Sequence, residues 1–445
     1  MDIDVEYNSK TNGADPMAIQ GTKFEVSRAK ARLILIVLTL LYMMAYMDRS
    51  VMSVVVEQLK ADLGLTDGQI GFLQTTFMVG VGLMMIPCGV MVDRWSRRKA
   101  IGLMAIIWSV ATYLTGMALR FGSLLGARIL TSSGEAGFAP GSVAWLSLTF
   151  PKESRAKVMG IFNLGIPLGG ALGVVLGGLI AAKTGSWRTP FYVFAVPGIV
   201  LGIIAFFLPD YRTIKSETDK PFDRKNLADI FGLFKIRSLI LAALGFSAWV
   251  FLVFGLAGWM PALLMRQYEL GTAKAGSITG LIYVLGAIGG VIGGILSDRW
   301  HKRNKRGRFL FALIFILAGT VTKLILFLSF GSLLKLVVVV AFVDAFICNL
   351  ATPAYFAITQ DVVAPKLRAT SLALSANLIF LTGGAWGPTV IGSLSEQLGG
   401  GAAGLTTSLL YIVPAGLLAA LFFFIGLRFY ASDCEGIIDE VLAEE

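Results

Sequence analysis

Two stretches of the chain carry the same pattern: GVMVDRWSRRK at residues 89–99 and GILSDRWHKR at residues 294–303. Each follows an apolar segment, and each places Gly-x-x-x-Asp-Arg-Trp ahead of further basic residues. An apolar segment that ends in a short basic turn is typical of a membrane helix that leaves the bilayer on its positively charged side. The repeat of this pattern raises the question of how much else is repeated.

Further matches occur at nearly the same separation. PKESRA at 151–156 returns as PKLRA at 365–369, and GGALG at 169–173 returns as GGAWG at 383–387. Three matches at a nearly constant separation indicate that one unit of helices occurs twice in parallel. We therefore expect two equivalent halves.

The composition places the chain in a membrane. Of its 445 residues, 56% are hydrophobic and only 15% are charged, and the mean hydropathy is +0.76. Such a chain has too little polar surface to cover a soluble fold. The net charge of +10 does not indicate a nucleic-acid partner, because the basic residues form short clusters between apolar segments.

A count of about 20 apolar residues per span predicts twelve transmembrane helices. The expected fold class is an all-α polytopic membrane protein, with two six-helix bundles that face each other across a central cavity. The predicted spans are 33–58, 69–92, 100–119, 123–149, 155–182, 188–209, 238–265, 274–297, 309–330, 333–359, 367–396 and 404–430.

These spans divide the chain into five parts: an N-terminal tail (1–32), a first bundle (33–209), a polar linker (210–237), a second bundle (238–430) and a C-terminal tail (431–445). Most of the 38 Lys and Arg residues fall on the side of the linker and the two tails. The positive-inside rule therefore places both termini in the cytoplasm. We expect a multi-pass protein of a bacterial cytoplasmic (inner) membrane.

The repeated signature makes the chain resemble the major facilitator superfamily over nearly its whole length. The resemblance implies a gate latch, in which the Asp meets a neighbouring helix end and the basic residues clasp the halves in the outward-open state. Read without the resemblance, the same residues are simply charges that set the topology. The signature residues are Gly89, Asp93, Arg94, Arg97 and Arg98 in the first half, and Gly294, Asp298, Arg299 and Arg303 in the second.

Four shorter stretches are similar to the spinster-like branch of that superfamily: YMDR at 46–49, the Arg-to-GEA pattern at 128–136, GIPLGGALG at 165–173 and GWMPALLMRQ at 258–267. The anion:cation symporter branch shares the Asp-Arg pair, the Arg-to-GEA spacing and GEAGFAP at 134–140. The first resemblance implies amphiphilic lipid substrates such as lysophospholipids and sphingosine phosphates. The second implies small carboxylates such as sugar acids, and the residues leave both open.

Two pairs of charged residues lie within apolar spans. A charged side chain at a helix centre costs roughly 2.5 to 3.5 kcal/mol on insertion scales, so these residues should face a cavity rather than lipid. Arg128 and Glu135 are seven residues apart and share one helical face, while Asp48 and Arg49 lie deep in the first span. Two acids and two bases in one dry cavity form a coupled titrating cluster.

By resemblance, Asp48 and Glu135 take up and release protons, while Arg128 and Arg49 hold an anionic substrate. The alternative is a permanent ion pair of Arg128 with Glu135 or with Asp48 that only joins the helices. Asn349 and Tyr355 form a possible polar wall in span ten, with helix packing as their alternative. Roles for Lys323 and Asp344 stay open.

The side-chain inventory argues against an enzyme. The single histidine, His301, lies in a basic loop, and nothing in the sequence suggests a metal cluster or a cofactor site. We predict a monomeric, proton-coupled secondary transporter that moves an anionic or amphiphilic small molecule by alternating access. A symporter of a small organic anion is the alternative, and a channel or receptor is a further one. The expected partners are the small-molecule or lipid substrate and membrane lipids, with protons as the coupling ion.

Overall fold

The structure is a computed structural model that describes residues 26–210, 232–364 and 367–442. The expected N-terminal tail up to residue 25 and linker residues 211–231 lie outside the described residues. In the described part the fold is α-helical, as the composition and the apolar segments predict. The helices are named spans 1 to 12 in chain order.

The first half contains six spans. A short helix, Val56–Leu63, follows span 1, and a turn of 3₁₀-helix, Lys152–Ser154, precedes span 5. The bounds are Arg28–Val54 (span 1), Asp67–Arg94 (span 2), Arg97–Gly116 (span 3), Phe121–Glu135 with Phe138–Thr149 (span 4), Arg155–Asn163 with Gly165–Thr184 (span 5), and Arg188–Phe206 (span 6).

The second half repeats this order with longer helices. The last helix continues to Leu442, so residues 431–442 extend span 12. The bounds are Arg237–Tyr268 (span 7), Thr272–Arg303 (span 8), Gly307–Ser329 (span 9), Leu334–Asp361 (span 10), Arg368–Ile379 with the π-helical Phe380–Gly384 and Gly387–Gln397 (span 11), and Gly401–Ile412 with Pro414–Leu442 (span 12).

In the described chain, eleven helices are long and apolar enough to cross a membrane, and span 4 is not one of them. Span 4 is divided between Glu135 and Phe138 into helices of 15 and 12 residues. Its first helix also carries Arg128 and Glu135, which lower its hydropathy. Span 4 thus completes the set of twelve as an interrupted helix. Such a break is tolerated in a membrane where it is buried in protein.

Large apolar side chains cover the outer faces of the bundles. Leu83, Val321 and Leu328, for example, are each more than half exposed and lie outside the lining of the central cavity. A soluble monomer rarely exposes so much apolar surface, whereas lipid solvates it. The described helices therefore form a multi-pass integral membrane protein.

We call the end at which spans 1 and 7 begin the linker end, and the opposite end the far end. The halves touch closely at the far end, where span 5 packs on span 8 and span 2 packs on span 11. A Cβ built on Gly276 would lie 2.3 Å from the carbonyl oxygen of Val174, and one on Gly71 would lie 2.3 Å from that of Pro388. Only glycine permits such an approach of two backbones.

A cavity of about 880 Å³ lies between the halves. Its lining runs from Gln74 and Gly258 near the far end to Gly160 and Val291 in the half of the bundle nearer the linker end. Among described residues, the hydrogen bonds that join the halves lie at the far end, except for a weak contact from Asn377 to the Met85 sulfur at 4.0 Å. The halves are closed at the far end, and the cavity extends towards the linker end.

Candidate functional site

Span 1 brings charge to the cavity wall. Tyr46 and Arg49 line the cavity, whereas Asp48 points back into the first half and is 2% exposed. One carboxylate oxygen of Asp48 accepts a hydrogen bond from the Thr112 hydroxyl of span 3 at 2.9 Å. Adjacent residues of a helix point about 100° apart, which is why Arg49 faces the cavity and Asp48 lies behind its wall in this conformation.

Arg49 pairs with Glu135 of span 4. Its Nε donates to Oε2 of Glu135 at 2.6 Å, and the Glu135 side chain is almost fully buried. The second oxygen of Glu135 and the second oxygen of Asp48 are both buried without a hydrogen-bond partner in the described chain. Within the described chain, each carboxyl group therefore has one oxygen that no donor occupies.

Arg128 lines the cavity and has no acceptor among the described residues. No hydrogen bond or ion pair joins it to another described residue, and its Nε is buried without a partner. The guanidinium carbon lies 4.5 Å from the centroid of the Phe77 ring, and that of Arg49 lies 5.3 Å from the same ring. A ring face attracts cations, so Phe77 holds two guanidinium groups near one point of the cavity wall.

The arrangement differs from both ion pairs considered from the sequence. Glu135 pairs with Arg49, and Arg128 forms neither of the two expected pairs among the described residues. A helix face tells which residues can share a wall, but the partner of a charge depends on how spans 1 and 4 are rotated. Within the described chain, the cavity therefore has one arginine that is paired, Arg49, and one that is not, Arg128.

The second half adds its own charged pair to the opposite wall. Lys323 of span 9 donates to Oδ2 of Asp344 of span 10 at 2.9 Å, and both residues line the cavity and are at most 3% exposed. Both residues, whose roles the sequence leaves open, thus belong to the cavity wall. The Thr322 hydroxyl and the Cys348 thiol donate to Oδ1 of Asp344 at 2.8 and 3.2 Å.

The two polar candidates in span 10 separate. Asn349 lines the cavity, and its amide nitrogen donates to the Ala345 carbonyl at 2.9 Å. Tyr355 is fully buried, lies outside the cavity lining and stacks on Phe246 with ring centroids 3.9 Å apart. In this conformation Tyr355 is a packing residue.

The repeated signature lies at the linker end. Arg97 is buried at the start of span 3, and Arg98 donates to the Leu208 carbonyl at 3.5 Å within its own half. A Cβ built on Gly89 would have no atom of the described chain within 4 Å of it. The side chains of Asp93 and Arg94, two of the predicted latch residues, lie outside the described part.

In the second copy of the signature, Asp298 also forms its contacts within its own half of the protein. Asp298 and Arg299 are exposed in the last turns of span 8, and Asp298 accepts a hydrogen bond from Arg308 at 2.7 Å. Arg308 also pairs with Asp361 at 2.5 Å, and the Tyr430 hydroxyl donates to Asp361 at 2.6 Å. These contacts tie spans 8, 9, 10 and 12 together at the linker end.

At the far end a charged cluster joins the halves, and the sequence reasoning missed it. Arg266 of span 7 donates to both carboxylate oxygens of Asp67 at 2.7 Å and to Glu57 at 2.9 Å. Lys60 and the Ser395 hydroxyl also donate to Asp67. We call these residues (Glu57, Lys60, Asp67, Arg266 and Ser395) the far-end latch. Arg266 is the next-to-last residue of the stretch GWMPALLMRQ, and a single charge at a span end gave no signal of this role.

A duplicated set of helices around a charged central cavity, with a latch at one end, defines a multi-pass membrane transporter. The family model described as Major Facilitator Superfamily matches residues 38–388, and the chain belongs to that family. It is therefore a transporter and not an enzyme.

Several characterised relatives are similar over most of the chain. A hexuronate transporter of Bacillus subtilis (strain 168) is 27% identical over 366 residues, which cover 80% of this chain and 85% of the relative. Protein spinster homolog 1 of Bos taurus is 29% identical over 401 residues, which cover 84% of this chain and 74% of the relative. The expected resemblance to the spinster-like branch is confirmed.

A solved structure has the same fold. A bacterial homolog of the human lysosomal transporter Spinster, in an inward-facing and unoccupied conformation, matches with a TM-score of 0.81 and 23% identity. The match covers 92% of this chain and 99% of that one. The predicted all-α fold of the superfamily is thereby confirmed.

Proposed function

We propose that this protein is a proton-coupled secondary transporter of an organic anion, and that Arg128 binds the anionic group. The observation that carries the proposal is a buried arginine that lines the cavity with no acceptor among the described residues. A guanidinium in a dry site gains most from a planar anion that accepts two hydrogen bonds. A carboxylate, phosphate or sulfonate group fits this requirement.

The charge balance supports coupling to protons. With both carboxyl groups ionised, Asp48, Arg49, Arg128 and Glu135 sum to zero, and the Lys323–Asp344 pair adds nothing. An anion that enters alone would leave one uncompensated negative charge in a poorly solvated cavity. A proton on Glu135 or Asp48 restores the balance, so anion and proton bind best together.

The pairing of Arg49 suggests how the two events are linked. Protonation of Glu135 removes the negative charge that holds Arg49 at 2.6 Å. Arg49 can then turn beside Phe77 towards the anion that Arg128 holds. The proton thus frees a second guanidinium for substrate, and loss of the proton returns Arg49 to Glu135.

The cavity favours an amphiphilic anion as substrate. Its volume of about 880 Å³ lies within the range of small-molecule sites, roughly 300 to 1,000 Å³. Away from the charged residues the walls are largely apolar, with Met78, Val81, Leu164, Val284 and Ile288 among the lining residues. A lysolipid-like molecule would place its headgroup at Arg128 and its chain along these side chains.

A small organic anion is the second candidate. Relatives named as a hexuronate transporter and as a probable sulfoacetate transporter are 27% and 29% identical to this chain. The same arginine would bind the carboxylate or sulfonate of such a substrate. The apolar wall is the feature that favours the amphiphile.

We place the linker end in the cytoplasm, because most basic residues of the loops and termini lie there. The described conformation is then closed to the outside, with its cavity directed towards the cytoplasm. Alternating access would close the linker end through the signature residues, including Asp93 and Arg98, while the far-end latch opens. The residues named in this cycle all belong to one chain, so we propose that the protein works as a monomer. Its proposed location is a bacterial inner membrane.

The experiment exchanges Arg128 for lysine and for alanine. If a planar, bidentate grip on the anion is required, Arg128→Lys loses binding nearly as fully as Arg128→Ala. Affinity is measured by ligand-induced thermal shift with lauroyl-lysophosphatidate, D-glucuronate and hexanoate. Arg188→Lys, an arginine outside the cavity, is the control. Near-native affinity of the Arg128→Lys variant would refute the anchor role.

A further inference from the structure

The pair Lys323–Asp344 lies on the wall opposite Arg128 and has no part in the proton and anion steps above. Both side chains are at most 3% exposed to solvent, and both line the cavity. A buried ion pair is weak evidence for stability, because desolvation offsets most of its attraction. Because the pair lines the cavity, its side chains can contact a bound substrate.

Three donors already occupy the carboxylate of the pair. Oδ2 accepts from Lys323, and Oδ1 accepts from the Thr322 hydroxyl and the Cys348 thiol. Asp344 therefore has little capacity left to receive a donor from a ligand. Its effect is to fix the position of the Lys323 ammonium and to neutralise its charge.

The ammonium, in contrast, retains donors. A lysine ammonium carries three N–H groups, and within the described chain its acceptors are the Asp344 carboxylate at 2.9 Å and the weakly accepting Cys348 sulfur. Because Asp344 cancels the charge, the group that faces the cavity is a neutralised donor. It fits an uncharged oxygen acceptor, such as a hydroxyl, carbonyl or ester oxygen, better than a second full anion.

We infer that Lys323 is a second substrate subsite, which recognises an uncharged oxygen of a molecule whose anionic group is held by Arg128. This inference rests on the proposed function and narrows its substrate class. The substrate is an organic anion that carries a hydroxyl, carbonyl or ester oxygen apart from its anionic group. Asp344 is a positioning residue for Lys323. Lysolipids and sugar acids both have this chemistry, and matched probes separate the two sources.

The test compares paired probes that differ in the second oxygen. Lauroyl-lysophosphatidate has ester and hydroxyl oxygens that dodecyl phosphate lacks, and D-glucuronate has hydroxyls that hexanoate lacks. The measured quantity is the ratio of dissociation constants within each pair. A hydrogen bond to a charged group should make the oxygen-bearing probe of the transported class bind about tenfold more tightly in the wild-type protein.

The variant is Lys323→Met combined with Asp344→Leu, which removes the whole pair and leaves no orphaned buried charge. We expect the ratio to fall to about one while the affinity for the probe without the second oxygen is unchanged. Lys323→Arg, which retains donors, should keep most of the ratio. The melting temperature without ligand confirms that each variant is folded.

The outcomes are distinct. If the double variant loses the affinity ratio only for the two phosphate probes, the substrate is lysolipid-like. If it loses the ratio only for the two carboxylate probes, the substrate is a sugar acid. Either result supports the subsite. A wild-type ratio that persists in the double variant for both pairs overturns it. If no probe binds the wild-type protein, the proposed function fails, and the inference fails with it.

Discussion

Replacement of Arg266 by alanine should release the far end of the transporter. Arg266 makes two hydrogen bonds of 2.7 Å to Asp67 and one of 2.9 Å to Glu57, and all of them cross from the second half to the first. The proposed opening of the far end would separate Arg266 from both carboxylates and break these bonds. Their loss therefore raises the free energy of the closed conformation relative to the open one.

The magnitude follows from the burial of the partners. Removal of one member of a buried, hydrogen-bonded charge pair costs about 2 to 5 kcal/mol. Asp67 is buried but keeps Lys60 and Ser395, while the Glu57 side chain is 33% exposed and can be hydrated. We therefore expect the lower value, about 2 kcal/mol, which is roughly a 30-fold change in the equilibrium. A far-end-open population of about 1% would rise to about a quarter.

The assay measures distances between spin labels by double electron–electron resonance. Labels at Lys183→Cys and Ser332→Cys, in a background without Cys88, Cys348 and Cys434, report on the far ends of the two halves. Arg266→Ala should add a population at longer distance. The matched control is Arg188→Ala, because Arg188 also pairs with a carboxylate at the far end, but with Asp62 of its own half. An unchanged distance distribution in Arg266→Ala would refute the latch.

Three further predictions address coupling and gating. Glu135→Gln should abolish uptake driven by a pH gradient in proteoliposomes, because glutamine cannot exchange a proton, while substrate binding stays measurable. If uptake survives in a protein that carries both Glu135→Gln and Asp48→Asn, the proton site lies elsewhere. Gly276→Ala should lengthen the same spin-label distance, because its Cβ would lie 2.3 Å from the Val174 carbonyl oxygen, whereas Gly290→Ala, which meets nothing within 4 Å, should not. Asp93→Asn should increase thiol labelling at Gly160→Cys, a position open to the cavity, by loosening closure of the linker end. Equal labelling rates would count against the gating role of Asp93.

Much of the fold could be predicted from the sequence because the two strongest signals concern single helices. The apolar segments define the spans, and the repeat of the Asp-Arg-Trp signature defines the two halves. The break in span 4 was not predicted. Residues 123–149 were expected to form one continuous helix. The structure divides this segment after Glu135, and the first of its two helices carries the buried charges of Arg128 and Glu135.

The candidate site was predicted in part. Helical periodicity and the cost of charge in hydrocarbon identified Arg49, Arg128 and Glu135 as charges that lie at or next to the cavity. The choice of partner was beyond the sequence, because it depends on contacts between spans that are distant in the chain. The pairing of Arg49 with Glu135 and of Lys323 with Asp344 both depend on helix rotation, as does the turn of Tyr355 away from the cavity.

The far-end latch shows a different limit. Glu57, Asp67 and Arg266 lie at span ends, where single charges are ordinary and carry no cost that would mark them. Only the packing of the halves brings them together across 199 residues of chain. A charge within a span can be recognised from its surroundings in sequence, whereas a charge at a span end cannot.

The central claim is that an anion at Arg128 and a proton at Glu135 or Asp48 bind together. It is tested most directly by calorimetric titration of the purified protein with decanesulfonate, an anion whose charge does not change between about pH 5.5 and 8.5. Repeating the titration in buffers of different ionisation enthalpy gives the number of protons taken up per anion bound. The account predicts uptake of about one proton in at least part of this range, and loss of that uptake in the Glu135→Gln, Asp48→Asn variant. Anion binding with no proton uptake at any pH in the range would contradict it.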